Sequence, residues 1–131
     1  MEFIVYSKCS TELIDITRDE DKSIYESGIK HGICLVYLPH STAALVVNEH
    51  EKGLMQDILA DVQKLFPRNA DWLHNWVDAN AWAHLASTVL GSSRTFPIRD
   101  GQLVRGMWQN IFLLELDGPR SRRIILQTLG E

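Results

Sequence analysis

Two apolar runs, ICLVYLP at residues 33–39 and AALVVN at residues 43–48, stand almost back to back, with only His40, Ser41 and Thr42 between them. Each run is too short for an ordinary helix. The first shows no polar alternation, so it is expected to be a strand that is central or buried between layers. A chain with two such strands must cover them with other elements. His40 comes directly after the first of them, at the kind of strand terminus where a rigid scaffold presents functional groups.

The remaining pattern supplies the covering. Residues 3–8 and 12–17 read as short strands with Ser10 and Thr11 near the turn, which suggests an opening hairpin. Residues 18–27 are polar around Ile24 and Tyr25 and read as a helix ended by Gly28. Asn48 can start a second helix with Glu51 three positions on as its capping-box partner; Leu54, Ile58, Val62 and Leu65 then recur at helical spacing, and Pro67 closes it. After residue 91 the signals are those of strands: Asp100-Gly101 marks a hairpin turn, and NIFLLELD (110–117) and RRIILQT (122–128) flank a GPRS turn. About eight strands and three helices that do not alternate regularly argue for an α+β fold in a single domain, residues 1–131.

The stretch WLHNWVDANAWAHLASTVLG, residues 72–91, joins chemistry to packing. Asp78 reads as the N-cap of a helix from Ala79, with Gly91 as its stop. Ten residues of unbroken helix would hold His74 and His84 roughly 15 Å apart on different faces, so a turn is required if the two rings converge. Unrelated duties for the two histidines, one in a surface loop and one hydrogen-bonded in a helix, are the plainer alternative.

Charge narrows the partners. The net charge is −4, yet residues 92–131 carry six arginines against four acids. Arginine suits bidentate phosphate or carboxylate contacts, whereas an acidic chain is a poor nucleic-acid binder. No apolar run reaches the ~20 residues of a membrane span and the start lacks signal-peptide character, so a cytoplasmic protein without a membrane partner is expected. Cys9 and Cys34 lack CxxC spacing and are expected to be reduced.

Asn48-Glu49 is either a helix start alone or a carboxylate placed as acid, base or water-orienting group. Gly106-Met107-Trp108-Gln109 is either a bulge with a packed tryptophan or a pocket wall. No GxGxxG, Walker A, HExxH or GxSxG pattern is present.

PHSTAALVVNE, WLHN followed by NAWAHL, LGSS, FPIRDGQL, GMWQNIFLLELDGPR and the final Gly-Glu, in this order, resemble the YjbQ family over nearly the whole chain. The resemblance implies an α+β domain with a β-sandwich core, a homotrimer, and an activity of the secondary thiamine-phosphate synthase type. It implies that His40, His74 and His84 form a metal or active site. Asn48, Glu49, Ser92, Trp108, Gln109 and Arg120 are its further pattern positions. Asn48, Glu49 and Gln109 are expected in catalysis, and Ser92, Trp108 and Arg120 in binding a small phosphorylated substrate. The chain departs from the pattern at Trp72, where the family commonly has Tyr, at Ala86, where a lysine commonly follows AHL, and at GMWQ in place of GTWQ.

Three neutral imidazoles suit zinc or a similar divalent ion with an open position for water, and Asp78 or Asn80 stands near enough in sequence to hold an unused ring nitrogen. Three readings follow. The protein joins a pyrimidine-methyl diphosphate to a thiazole phosphate and releases diphosphate, or it hydrolyses a small substrate with a histidine-bound metal water, or it is a non-enzymatic trimeric binding module. A convergent arginine cluster beside the histidines separates the first from the second.

Overall fold

The computed structural model describes residues 1–131. The strands are β1 (Glu2–Tyr6), β2 (Glu12–Asp15), β3 (Gly32–Tyr37), β4 (Ala43–Asn48), β5 (Ser93–Arg99), β6 (Gln102–Leu103), β7 (Asn110–Glu115) and β8 (Ser121–Gly130). The helices are α1 (Thr17–Ser27), α2 (Lys52–Leu65) and α3 (Ala81–Leu90), with a 3-10 turn at Leu73–Trp76. The strands form two antiparallel sheets, ordered β1-β8-β3-β5-β6 and β2-β7-β4. The α+β expectation holds in strand and helix number alike.

The layering follows from which faces are apolar. On β7, Ile111 and Leu113 join the core between the two sheets, while Phe112 and Leu114 point the other way, into a second core under α2 and α3. The three-stranded sheet is therefore the middle layer, buried on both faces. That is why NIFLLE shows no polar alternation. Full burial of each such Leu, Ile or Phe is worth about 1.5–3 kcal/mol, and Phe112, Leu113 and Leu114 are at most 1% exposed. From α2 and α3, Val62, Trp82, Ala83 and Ala86 close the second core, and Arg68 lies over the Trp82 ring at 4.4 Å.

Four local expectations are corrected. First, β1 and β2 do not pair: β1 lies against β8 and β2 against β7, so the Ser10–Thr11 segment carries the chain from one sheet to the other. Second, β3 is central in its sheet, between β8 and β5, but buries only one face; Ile33, Leu35 and Tyr37 are 45%, 37% and 42% exposed. Its apolar outer face is an uncovered surface. Third, Asn48 ends β4, and Glu51 is itself the cap of α2, its carboxylate accepting from the Gly53 and Leu54 N–H groups. Fourth, Asn80, not Asp78, precedes the first turn of α3, because the Asp78 N–H is bonded back to the His74 carbonyl. The Asp100-Gly101 hairpin is as expected: both residues have positive φ and Arg99 faces Gln102. No helix is long and apolar enough to cross a membrane.

One buried group runs against the core's chemistry. Glu20, in the first turn of α1, is fully buried and neither carboxyl oxygen has a hydrogen-bond partner. Burial, reinforced by Asp21 and opposed by Arg105, raises its pKa from 4.5 to about 8. The folded state thus keeps a proton that the unfolded chain gives up near 4.5. Stability from this site is full below that value and is lost as pH rises to about 8. Glu20→Gln, which cannot ionise, is expected to flatten the decline of unfolding free energy between pH 5 and 8 in denaturant titrations. A parent and variant with parallel pH profiles would remove the assignment.

Candidate functional site at the Asp117–Arg120 turn

The turn between β7 and β8 is held by a buried ion pair. Glu115, the last residue of β7, and Arg122, near the start of β8, are 0% and 2% exposed. Arg122 Nε donates to Glu115 Oε1 at 2.9 Å, and its terminal nitrogen reaches Glu115, the Thr42 carbonyl and Thr42 Oγ1. Ser7 Oγ donates to Glu115 Oε1 at 2.7 Å, and the Leu116 and Asp117 N–H groups donate to Oε2. Burial alone would raise the Glu115 pKa. Arg122, Ser7 and the Asp117 N–H outweigh it and hold the carboxyl below its usual range. Gly118 threads this assembly where a Cβ would come within 2.8 Å of Ser7 Oγ and closer still to the Cys9 carbonyl.

From this anchor the turn presents Asp117 and Arg120. Arg120 Nε donates to the Asp117 carbonyl at 2.8 Å and its terminal nitrogen to Asp117 Oδ2 at 3.1 Å. The same Oδ2 accepts from Asn80 Nδ2 at 2.9 Å, which leaves Asn80 Oδ1 facing His74 Nε2 at 3.0 Å. An amide oxygen only accepts, so His74 carries its proton on Nε2 and its lone pair on Nδ1. The Asn80 side chain, engaged on both sides, makes no capping bond to α3.

The turn that convergence of His74 and His84 requires is the 3-10 turn Leu73–Trp76. It folds the chain back so that the two ring centroids lie 4.7 Å apart, edge to face. They line a shallow cavity of about 480 Å³ with Trp72, Leu73, Ala81 and Leu85. His40 is placed differently. Its Nε2 accepts from the Arg123 N–H at 2.8 Å, which puts the ring proton on Nδ1. Its pKa is lowered by burial and by the Arg122 charge, with a smaller contribution from Arg120, so His40 belongs to the electrostatic neighbourhood of the same turn. No three His, Cys, Asp or Glu side chains stand together as a metal-binding group. The structure pairs His74 with His84 and fixes His40 separately through Arg123.

The other expected residues divide between the two ends of the three-stranded sheet. Ser92 is at the His40 end, its carbonyl accepting from the Leu38 N–H. Asn48 pairs with Asn110 at the far end, beside Glu49, Trp108 and Gln109. Six-residue strands put roughly 17 Å between these ends. Gln109 caps its own loop through the Gly106 N–H, Trp108 is 67% exposed, and Asn48 Oδ1 accepts from the Glu49 N–H. Sequence reasoning missed Ser7, Thr42, Glu115, Asp117 and Arg122. The signal was present in ELDGPRSR: acids and arginines directly continuing an apolar strand are buried only when paired.

Removing one partner of a buried ion pair strands the other's charge, at a cost of about 3–5 kcal/mol. Arg122→Met is expected to lose stability on that scale in urea unfolding, and Arg122→Met combined with Glu115→Gln is expected to recover part of it. Additive losses would show that the two side chains act independently.

With this geometry in place, comparison with known proteins gives a consistent picture. The family model described as "UPF0047 protein YjbQ-like" matches residues 1–131. A UPF0047 protein of Archaeoglobus fulgidus is 46% identical over 129 residues, 98% of this chain and 100% of that one. A crystal structure from Sulfolobus solfataricus, described as a YbjQ-like protein of unknown function, superposes with a TM-score of 0.98 at 52% identity, covering 100% of this chain and 96% of that one. A Clostridium acetobutylicum member reaches a TM-score of 0.94 at 35% identity, covering 98% and 99%. The chain belongs to the YjbQ-like UPF0047 family.

Proposed function

We propose that this protein is a metal-dependent transferase of the secondary thiamine-phosphate synthase type, joining a pyrimidine-methyl diphosphate to a thiazole phosphate. The observation that carries the reading is the chain His84, His74, Asn80, Asp117, Arg120, which sets a paired imidazole site beside an arginine. The donor set fits a divalent ion such as zinc in two respects. Asn80 holds the Nε2 proton of His74 and leaves Nδ1 free, the usual support for a ligating histidine. Two imidazoles on one tetrahedral zinc hold their centroids about 5 Å apart, given Zn–N bonds of about 2.1 Å, and the observed separation is 4.7 Å. His40 would join as third ligand only by giving up the Arg123 N–H.

A bound cation would supply charge to offset the phosphate oxygens. The chain's own residues do the rest. Arg120, whose side chain is half-exposed, presents guanidinium N–H groups toward solvent while Asp117 fixes its orientation. His40, neutral, offers its Nδ1–H as a hydrogen-bond donor. Bond formation between the thiazole nitrogen and the pyrimidine methylene carbon expels diphosphate, and guanidinium contacts that strengthen on the departing group lower that barrier. Arg120, half-exposed where Arg122 is buried against Glu115, favours a phosphorylated substrate over a neutral one.

We also propose a homotrimer. Ile4, Tyr6, Ile33, Leu35, Tyr37 and Leu129 are all exposed on strands of the five-stranded sheet. An apolar sheet face of this kind is the surface a second copy would cover.

Two measurements follow. Elemental analysis of protein purified without added metal is expected to find one divalent ion per chain, and His74→Ala and His84→Ala are each expected to lose it together with diphosphate release, while His31→Ala keeps both. Full metal content in both variants would remove the site. Light scattering at micromolar concentration is expected to give three times the chain mass, and Leu35→Lys is expected to lower it; a monomer in the parent would end the trimer proposal.

A further inference from the structure

At the far end of the three-stranded sheet lies a second ordered polar group. Asp15, the last residue of β2, accepts through Oδ1 from the Thr17 N–H and Thr17 Oγ1, at 2.9 and 2.5 Å. Through Oδ2 it accepts from Asn110 Nδ2 at 2.7 Å and faces His50 Nδ1 at 2.6 Å. Burial would raise the Asp15 pKa, but the hydrogen bonds from His50, Thr17 and Asn110 outweigh it and hold the carboxyl at about 2. An ionised carboxylate only accepts, so the proton of a neutral His50 is on Nδ1 and the lone pair is on Nε2. The ring leans against Phe112, centroids 5.5 Å apart, and is half-exposed. It lines a cleft of about 450 Å³ between β2 and α2, walled by Leu13, Met55 and Leu59, with Glu12 and Lys52 as the charged groups beside it.

We propose that His50 and Asp15 form a general-base dyad that hydrolyses small neutral acyl esters in this cleft. A carboxylate that fixes the tautomer of a histidine and faces its positive form is the arrangement that makes imidazole an oriented base. One acid and one ammonium on the cleft give no net charge to draw an anion, and the apolar wall suits an acyl chain. In the reaction, Nε2 takes a proton from water as the water oxygen bonds to the ester carbonyl carbon. The tetrahedral oxyanion forms on a cleft that carries the Lys52 ammonium. Nε2 then returns the proton to the alkoxide as the ester C–O bond breaks, giving acid and alcohol and restoring the imidazole. Asp15 also accepts from Thr17 and Asn110, bonds that do not pass through His50. The site is separate from the histidine pair and needs no metal.

The test is hydrolysis of p-nitrophenyl butyrate by the full chain in the presence of chelator. The parent is expected to exceed the same concentration of free imidazole by about a hundredfold or more, the low side of general-base catalysis. His50→Gln is expected to fall to the free-imidazole level with its unfolding midpoint unchanged, and Met55→Trp, which fills the cleft, is expected to lower the rate as well. Cys9→Ser and His31→Gln are expected to keep the parent rate. A parent no faster than free imidazole, or His50→Gln at the parent rate, would overturn the dyad. Loss of the rate in Cys9→Ser would also overturn it, by moving the chemistry to the thiol.

Discussion

The Glu115–Arg122 pair is the constraint from which the candidate site is built. Two charges removed from water are tolerable only when further hydrogen bonds accompany the pairing, and here Ser7, Thr42 and the N–H groups of Leu116 and Asp117 supply them. The pair fixes where β7 ends and β8 begins, and so fixes the five residues between them. Asp117 and Arg120 are therefore presented by a buried anchor rather than by a free loop. His74 inherits its orientation from Asp117 through Asn80. Hydrophobic packing sets the layers, and this one ionic cluster sets the geometry of the polar end.

Much of the fold was legible because apolar periodicity and turn chemistry are local. The Asp100-Gly101 hairpin, the Gly28 and Gly91 helix stops and the apolar face of α2 each need only neighbouring residues to be read. The opening hairpin was misread for the same reason: two short strands with a polar turn look alike whether they pair with each other or diverge into different sheets. The outer face of β3 could not be read either, since Ile33, Leu35 and Tyr37 give the sequence pattern of a doubly buried strand while nothing within the chain covers them.

Half of the candidate site could be read from residue order. His74 and His84 needed a turn between them, and Asn80 was a plausible holder of one ring; the 3-10 turn and the Asn80 contact supply both. Asn48 and Glu49, eight and nine positions after His40, joined the candidate site only as positions of the family pattern. A strand converts that proximity into distance, and β4 carries them to the opposite end. The Asp15–His50 contact spans 35 positions and had no local signal at all.

The strand orders carry a consequence for the growing chain. In both sheets a C-terminal strand is inserted between N-terminal ones: β8 between β1 and β3, and β7 between β2 and β4. While residues before 110 emerge, β1, β2 and β4 have no strand partners and β3 has only β5. Neither core can close until the last segment arrives, so the nascent protein exposes several unpaired edges for most of its synthesis. Release before residue 110 would leave separate pieces of two sheets, and loss of β8 alone would detach β1 from β3 while leaving β2-β7-β4 paired, in neither case a smaller version of the fold.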